Sequence, residues 1–446
     1  MYLQSIHLTN IKSFRDATLE LPSEGGFAGW NVILGGNASG KTTLLQAIAL
    51  CLLGPGQVER LLDAATWPTA GEAVGTCSAD VRSGTDDYFF GVASGEAYLS
   101  TTITLIAAAS EVEGRKWAPG EVVFTGDEDA VIFATFGIYS THRGWFSAGY
   151  GAFRRLSGAS GDIVDPKSRA ARHLTLFRED AALTDCEAWL TSLYGQSIDP
   201  ENPDRDEAAR QLTGARAALN RLLPAEVQLV KLTSQGAIFG QARTSLSVSL
   251  RQLSDGYRSF LAMVIDLLRH TLRAGAAVDA DGVVDCQGVV LIDEVDAHLH
   301  PRWQREIGPQ LCAAFPKLQF IVSTHSPFVA QTAREGGLFR LVQSEAGATI
   351  EPFPERVLGR RVEQLLTSSL FGLDSSLDAE TEALVARRAA LEARRPRSAE
   401  DEAELESVIH KLEDRDGAPG PTWAEMKRQE QLEAELEALL RHGDGR

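Results

Sequence analysis

Gly35-Gly36-Asn37-Ala38-Ser39-Gly40-Lys41-Thr42 is the stretch on which the reading of this chain turns. It fits G-x-x-x-x-G-K-[ST], the spacing of a phosphate-binding loop. An apolar run at residues 30–34 precedes it as a buried strand, and a helical run follows at residues 43–53. Strand, glycine turn and helix start are the context in which the spacing carries meaning. Glycine lets the backbone wrap close to phosphate oxygens, successive N–H groups point inward, and the helix N-terminus adds partial positive charge. Lys41 is expected to reach the β and γ phosphates of ATP, and Thr42 to ligate Mg²⁺. The expected nucleotide cradle is Gly35, Gly36, Asn37, Ala38, Ser39, Gly40, Lys41, Thr42 and Thr43.

The chain around this loop has 446 residues, room for two or three domain-sized units. Apolar residues make up 44%, enough for a sizeable core. A net charge of −18 argues against a uniformly basic nucleic-acid binder, while leaving room for a local basic patch. The five cysteines, Cys51, Cys77, Cys186, Cys286 and Cys312, are scattered without a C-x-x-C pair, which favours reduced thiols in the cytoplasm. No secretory signal is read at the N-terminus and no apolar run approaches a membrane span, so no membrane role is expected of the chain.

Upstream of the loop, residues 2–8 and 17–21 read as strands flanking the polar turn Asn10-Ile11-Lys12-Ser13-Phe14. Residues 73–136 break into short β-prone runs at 88–92, 98–106, 122–124 and 131–136, an antiparallel, hairpin-linked texture. Residues 144–151 are rich in glycine and aromatics, and 157–170 are polar and read as a loop. Helices are expected at 185–194, 205–223, 255–273 and 302–315, and strands at 238–250, 289–292 and 319–322. Beyond Gly372, leucines seven apart (Leu384 and Leu391, Leu405 and Leu412, Leu432 and Leu439) predict three amphipathic helices. These pack as a small bundle or pair with another chain.

Three further motifs follow the loop. Val289-Val290-Leu291-Ile292-Asp293-Glu294 is an apolar strand ending in two carboxylates, which places Asp293 where ligands sit in open α/β sheets. Asp293 would hold Mg²⁺ through water, and Glu294 would orient and deprotonate the attacking water. Leu253-Ser254-Asp255-Gly256 opens a helix; Ser254 is either a plain N-cap or a ligand-binding hydroxyl, and Gly256 permits close backbone approach. Phe320-Ile321-Val322-Ser323-Thr324-His325 is a strand ending in histidine. His298 and His300, two apart beside carboxylates, also fit a weak metal pair.

Together these motifs resemble the ATP-binding cassette (ABC) ATPases. In that class L-S-x-G is the signature that binds the γ-phosphate of the opposite subunit, so the resemblance assigns Ser254 and Gly256 to a nucleotide held by a second copy. It likewise makes His325 the switch histidine on the γ-phosphate. The run Asp-Glu-Val-Asp-Ala-His-Leu-His-Pro at residues 293–301 and the start Ile11-Lys12-Ser13-Phe14 look like the non-transporter heads of the RecF, SMC and OLD group. Tyr150-Gly151-Ala152-Phe153-Arg154-Arg155 is similar to a segment of OLD-like ATPases. This D-loop reading of His298 and His300 is preferred to the metal pair.

The resemblance implies an α/β fold: an ABC-ATPase head, with a phosphate-loop mixed sheet and an antiparallel β subdomain, a helical insertion and a C-terminal helical segment. Its divisions are expected at 1–184, 185–225, 226–372 and 373–446. One departure stands out. No glutamine occurs from residue 58 to 195, where the Q-loop glutamine of the class belongs, and groups around Tyr150 are its expected substitute. Arg154, Arg155 and Arg172 form either an anion- or DNA-facing patch or a salt-bridged surface, the net charge favouring the second.

With one phosphate loop and one signature per chain, two copies would sandwich two nucleotides head to tail. The resemblance implies an ATPase switch in a homodimer or higher homo-oligomer, controlling a separate effector protein in anti-phage defence. The alternative is a RecF-like DNA-repair ATPase that clamps duplex DNA.

Overall fold

The computed structural model of the chain describes residues 1–446 apart from 90–91, 94–96, 127–130, 133, 136–137, 140–143, 157–167, 184, 224–226, 235, 242–243, 414, 416–427, 430 and 433–446. The chain folds as two compact units, Met1–Leu358 and Gly359–Arg446. All four nucleotide motifs lie in the first.

The strand that leads into the phosphate loop, Gly29–Gly35, sits inside a six-stranded sheet. Its order is Phe146–Tyr150, Gly288–Ile292, Leu318–Thr324, Gly29–Gly35, Leu338–Ser344, Gly347–Pro352. The first five strands are parallel and the sixth returns antiparallel. Gly288–Ile292 and Leu318–Thr324 are buried at every residue, as strands covered on both faces must be. The register pairs Tyr150 with Ile292, Ile292 with Val322, and Thr324 with Leu34. Four carboxyl strand ends are therefore level, which assembles the site.

A second sheet is antiparallel, ordered Val122–Thr125, Tyr98–Ile106, Val74–Arg82, Tyr2–Ile11, Phe14–Glu20. The helix Lys41–Leu53 lies between the sheets and touches Val74–Arg82 and Tyr98–Ile106 as well as Gly288–Ile292 and Leu318–Thr324. It buries ten of its 13 residues, from Leu44 to Leu53 almost without a break, so it is apolar all round instead of striped. Phe14, wholly buried, packs at the helix start: a Cβ on Gly40, whose φ is +99°, would lie 2.8 Å from the Phe14 ring. That contact joins the N-terminal turn to the loop.

Helices Asp185–Ile198 and Arg205–Leu222 pack on each other, and the strands Val227–Thr233, Gly236–Gln241 and Thr244–Ser249 form a third sheet. The signature helix spans Asp255–Arg273. Three expectations change. Val131, Ile132, Ala134 and Thr135 are helical, because a short run of mostly apolar residues reads alike in helix and strand. The glycine- and aromatic-rich stretch contains the strand Phe146–Tyr150, buried at all five positions. The expected strand at 238–250 is two strands of a hairpin.

In the second unit, Ala379–Ala393 and Ala399–Glu413 pack around Leu391, Leu405 and Val408. Asp378 caps the first of these helices, accepting from the Glu380 and Thr381 N–H groups. Of the third expected helix only residues 428–429 and 431–432 are described, and they are helical with Leu432 exposed; Leu439 and most of the 157–170 loop fall outside the described residues.

Candidate functional site

The site is built where the four level strand ends meet the start of the Lys41–Leu53 helix. A cleft of about 630 Å³ opens there, lined by Asn37 to Thr43, Glu294 and His325, with Lys12 and Ser13 at its rim. The loop's geometry follows from its sequence. Ala38 (φ +60°) and Gly40 take left-handed conformations, and a Cβ on Gly35 would lie 2.4 Å from Ser39 Oγ.

Lys41 donates to the carbonyls of Gly35 (2.9 Å) and Gly36 (3.1 Å) and lies 2.8 Å from His325 Nε2. Donation by the ammonium leaves that ring nitrogen as the acceptor. Burial pushes the ammonium below its usual pKa, against the pull of Asp293, Glu294 and Asp296. Lys41 and His325, 284 residues apart in sequence, thus converge on one point of the cleft.

Thr42 Oγ1 donates to Asp293 Oδ2 at 2.6 Å, and Ser323 donates to the other oxygen of Asp293. The Glu294 N–H donates to the same Ser323 hydroxyl at 2.8 Å, while the Glu294 carbonyl accepts from Arg154 Nη2 at 2.8 Å. Glu294 itself adopts φ +44°, uncommon for a side chain with a Cβ. Ser323 and Arg154 therefore pin the peptide groups on both sides of the Glu294 Cα. The adjoining turn is tied to the switch strand too: Val295 N–H donates to Ser323 O at 3.0 Å, and Thr324 Oγ1 donates to Asp296.

The donor set around Thr42 and Asp293 is one hydroxyl and one buried carboxylate. These are hard oxygens, the kind Mg²⁺ takes together with substrate phosphates and water. His300 is placed differently: its Nδ1 accepts the Arg302 N–H and caps the helix Pro301–Ala314.

Ser254 and Gly256 do not line this cleft. Ser254 stands at the N-cap of the 19-residue signature helix, exposed, and its side chain makes no capping hydrogen bond. A plain cap is thereby set aside. Gly256 meets its own chain, since a Cβ there would lie 2.2 Å from the His298 carbonyl oxygen.

Two sequence expectations are corrected. The Tyr150 hydroxyl is no stand-in for a Q-loop glutamine, because the buried side chain donates to Asp266 Oδ2 of the signature helix at 3.1 Å. The Tyr150 carbonyl instead accepts the Asp293 N–H at 2.7 Å. Nor do Arg154, Arg155 and Arg172 form a surface patch. Arg154 is buried, and Arg172 packs over the Phe146 ring with burial lowering its pKa, which leaves Arg155 exposed. Three site residues were missed: Ser323, which no motif marks as a pin, and Lys12 and Ser13, which the N-terminal turn brings to the cleft rim.

The chain is similar to several known proteins. The family profile "AAA domain, putative AbiEii toxin, Type IV TA system" matches residues 152–330, and a second profile, "AAA domain", matches residues 5–66. "Septu protein PtuA" of Bacillus mycoides (strain KBAB4) is 27% identical over 376 residues, covering 83% of this chain and 45% of the relative. "Retron Ec83 probable ATPase" of Escherichia coli is 45% identical over 91 residues, 20% of this chain and 16% of that protein. "Retron Vc95 probable ATPase" of Vibrio cholerae serotype O1 biovar El Tor is 30% identical over 155 residues, 33% of this chain and 30% of that one. The matched residues thus span less than half the length of each of these relatives. Among solved structures, an SmcHead bound to the C-winged helix domain of ScpA aligns with 79% of this chain and 98% of its own at TM-score 0.49 and 14% identity. The SMC head domain from Thermotoga maritima aligns with 79% and 99% at TM-score 0.41 and 14% identity.

Proposed function

We propose that this chain, an ABC-type ATPase head of the phage-defence kind, is a nucleotide-gated switch: ATP joins two copies, and hydrolysis releases them to set the state of a separate effector protein. The observation that carries the reading is the division of labour just described. Lys41, Thr42, Asp293, Glu294 and His325 converge on one cleft, whereas Ser254 faces outward from it with its hydroxyl uncommitted. A site complete in one copy would leave the signature with nothing to bind, and a second copy provides its ligand. Similarity to Septu PtuA and to retron ATPases supports placing the switch in a defence system.

The chemistry follows from the residues. Backbone N–H groups from Gly36 to Thr42 and the helix start hold the phosphates. Lys41 and His325 meet the γ-phosphoryl oxygens, where charge develops during transfer. Thr42 and Asp293 would hold Mg²⁺, which neutralises charge on the β and γ oxygens. Glu294 accepts the proton of a water whose oxygen attacks the γ-phosphorus, and the bond from that phosphorus to the bridging oxygen breaks, leaving ADP and phosphate. Loss of the γ-phosphate removes the contact that Ser254 makes from the second copy, so the pair opens.

In the test, Glu294→Gln binds ATP with unchanged affinity, turns over at least about 100-fold more slowly and runs as a dimer with ATP by light scattering. A variant that hydrolyses at the parental rate, or stays monomeric with ATP, refutes the reading. The RecF-like alternative is weakened by the burial of Arg154 and by the packing of Arg172 over the Phe146 ring. It predicts ATP-dependent, salt-sensitive duplex binding by the purified chain, whereas the effector-control reading predicts weak DNA binding and co-purification with a neighbouring gene product.

A further inference from the structure

We propose that Arg154 is a positioning residue for hydrolysis: it fixes the backbone of Glu294 in its left-handed conformation, and so aims the carboxylate, while anchoring the same turn to the signature helix. This rests on the reading of Glu294 as the base that activates water.

Arg154 is 5% exposed. Nη2 donates to the Glu294 carbonyl at 2.8 Å, Nη1 lies 3.9 Å from Met263 Sδ on the signature helix, and Nε has no partner among the described residues. Burial lowers its pKa to about 10, opposed by Asp293, Asp296 and Glu294, so the group remains cationic at neutral pH. A buried cation that shares one carbonyl and one thioether is costly as a structural device, because it forgoes a paired carboxylate.

What it does accomplish is geometric. Glu294 stands at φ +44°, with Ser323 on the N–H side and, on the carbonyl side, Arg154 as the side-chain donor beside the Ala297 N–H at 3.0 Å. Remove Arg154 and the Glu294–Val295 peptide keeps only its turn bond from the Ala297 N–H and the Val295 N–H bond to Ser323 O, so it is held less firmly in this conformation. The carboxylate is then aimed less closely at a water that must sit within about 3 Å. The segment that carries Arg154 makes matching contacts at its other end: the Tyr150 carbonyl takes the Asp293 N–H, and the Tyr150 hydroxyl reaches Asp266. Residues 150–154 thus hold the backbones of both Asp293 and Glu294, and they touch the signature helix twice. This is the tract where the sequence lacks a Q-loop glutamine, and a buried arginine supplies rigidity there.

The test is a double-mutant cycle in single-turnover ATP hydrolysis. Arg154→Met fills the cavity without a donor, and Arg154→Lys keeps charge and one donor. Arg154→Met is expected to lower the hydrolysis rate about 10- to 100-fold with the nucleotide Kd within about twofold. Arg154→Lys recovers part of that rate. In the Glu294→Gln background Arg154→Met adds no further loss, since there is no carboxylate left to aim. An equal loss in both backgrounds, a loss confined to nucleotide affinity, or no loss at all overturns the proposal. Glu294→Gln hydrolysing at the parental rate overturns the base assignment and this inference together; Glu294→Gln inactive with Arg154→Met fully active overturns this inference alone. If Arg154→Met fails to fold, Arg154→Gln takes its place in the cycle under the same criteria.

Discussion

Ser323→Ala removes a single oxygen, and the structure says what that oxygen does. Ser323 is wholly buried; its hydroxyl donates to Asp293 and accepts from the Glu294 N–H. The first bond is to a carboxylate, a class that contributes about 1.5–3 kcal/mol, and loss of the second leaves a donor unpaired at about 1–3 kcal/mol. Partial relaxation puts the expected destabilisation near the lower end, about 3 kcal/mol. A domain of 150–250 residues shifts by about 2–4 °C per kcal/mol, so in this larger unit a melting shift of about 5 °C is expected. Turnover should drop further than stability requires, about 10- to 100-fold, because Glu294 loses its N–H anchor at a strained φ. Nucleotide affinity measured without Mg²⁺ should stay within about twofold, since Lys41 and the loop amides are untouched. Scanning fluorimetry and a phosphate-release assay read both quantities. A variant that melts and turns over like the parent refutes the idea that this hydroxyl pins the turn.

Two other substitutions or treatments follow from the same contacts. Tyr150→Phe deletes the bond to the buried Asp266 and is expected to destabilise by about 1–3 kcal/mol, with the KM for ATP unchanged; a raised KM would return Tyr150 to the nucleotide site. Burial pushes the thiols of Cys51, Cys186 and Cys286 up to about 12 and that of Cys312 to about 11. The Cys77 thiol rises as well. At pH 8 the native protein should therefore expose at most the half-buried Cys312 to a thiol reagent that titrates five groups after denaturation, and rapid labelling of more than one thiol in the folded protein would contradict the burial.

How much of this was legible in the sequence depended on the kind of signal. The glycines of residues 35–40 announce a backbone conformation, and 289–292 announce burial by their side chains, so both were readable in place. Phe146–Tyr150 was not. Its Ser-Ala-Gly centre lacks an apolar run, because Gly149 is fixed by crowding: a Cβ there would lie 2.6 Å from His173 Nδ1. The edge hairpin Leu338–Ser344 and Gly347–Pro352 passed unread for a related reason, since its polar positions alternate only loosely with apolar ones. Arg154 misled most. Arginine is ordinarily a surface residue, and nothing local in Phe-Arg-Arg tells which of the two is buried. Only the pairing of Phe146–Tyr150 against Gly288–Ile292 carries Arg154 under the Glu294 turn.

The same distinction bears on the signature. Gly256 invites a reading in which glycine exists to admit a phosphate, and the packing supplies an independent demand. A Cβ at that position would meet the His298 carbonyl oxygen at 2.2 Å, backbone against backbone, with His298 itself held at φ +64°. Tyr257 and Phe260 close the arrangement by packing edge-on to Trp303, 4.6 and 4.9 Å between ring centroids. The fold of a single copy would therefore select glycine at 256 whether or not a nucleotide ever reached it. Its presence is no independent argument for a ligand from a second copy. Ser254 is what favours such a ligand: an exposed N-cap serine whose hydroxyl caps nothing. The packing also means that whatever moves the Ser254 end moves the turn of Asp293 to His298 with it, because no slack separates Gly256 from His298. A ligand bound at the signature thus presses on the residues that place Glu294 through contacts already made within one copy.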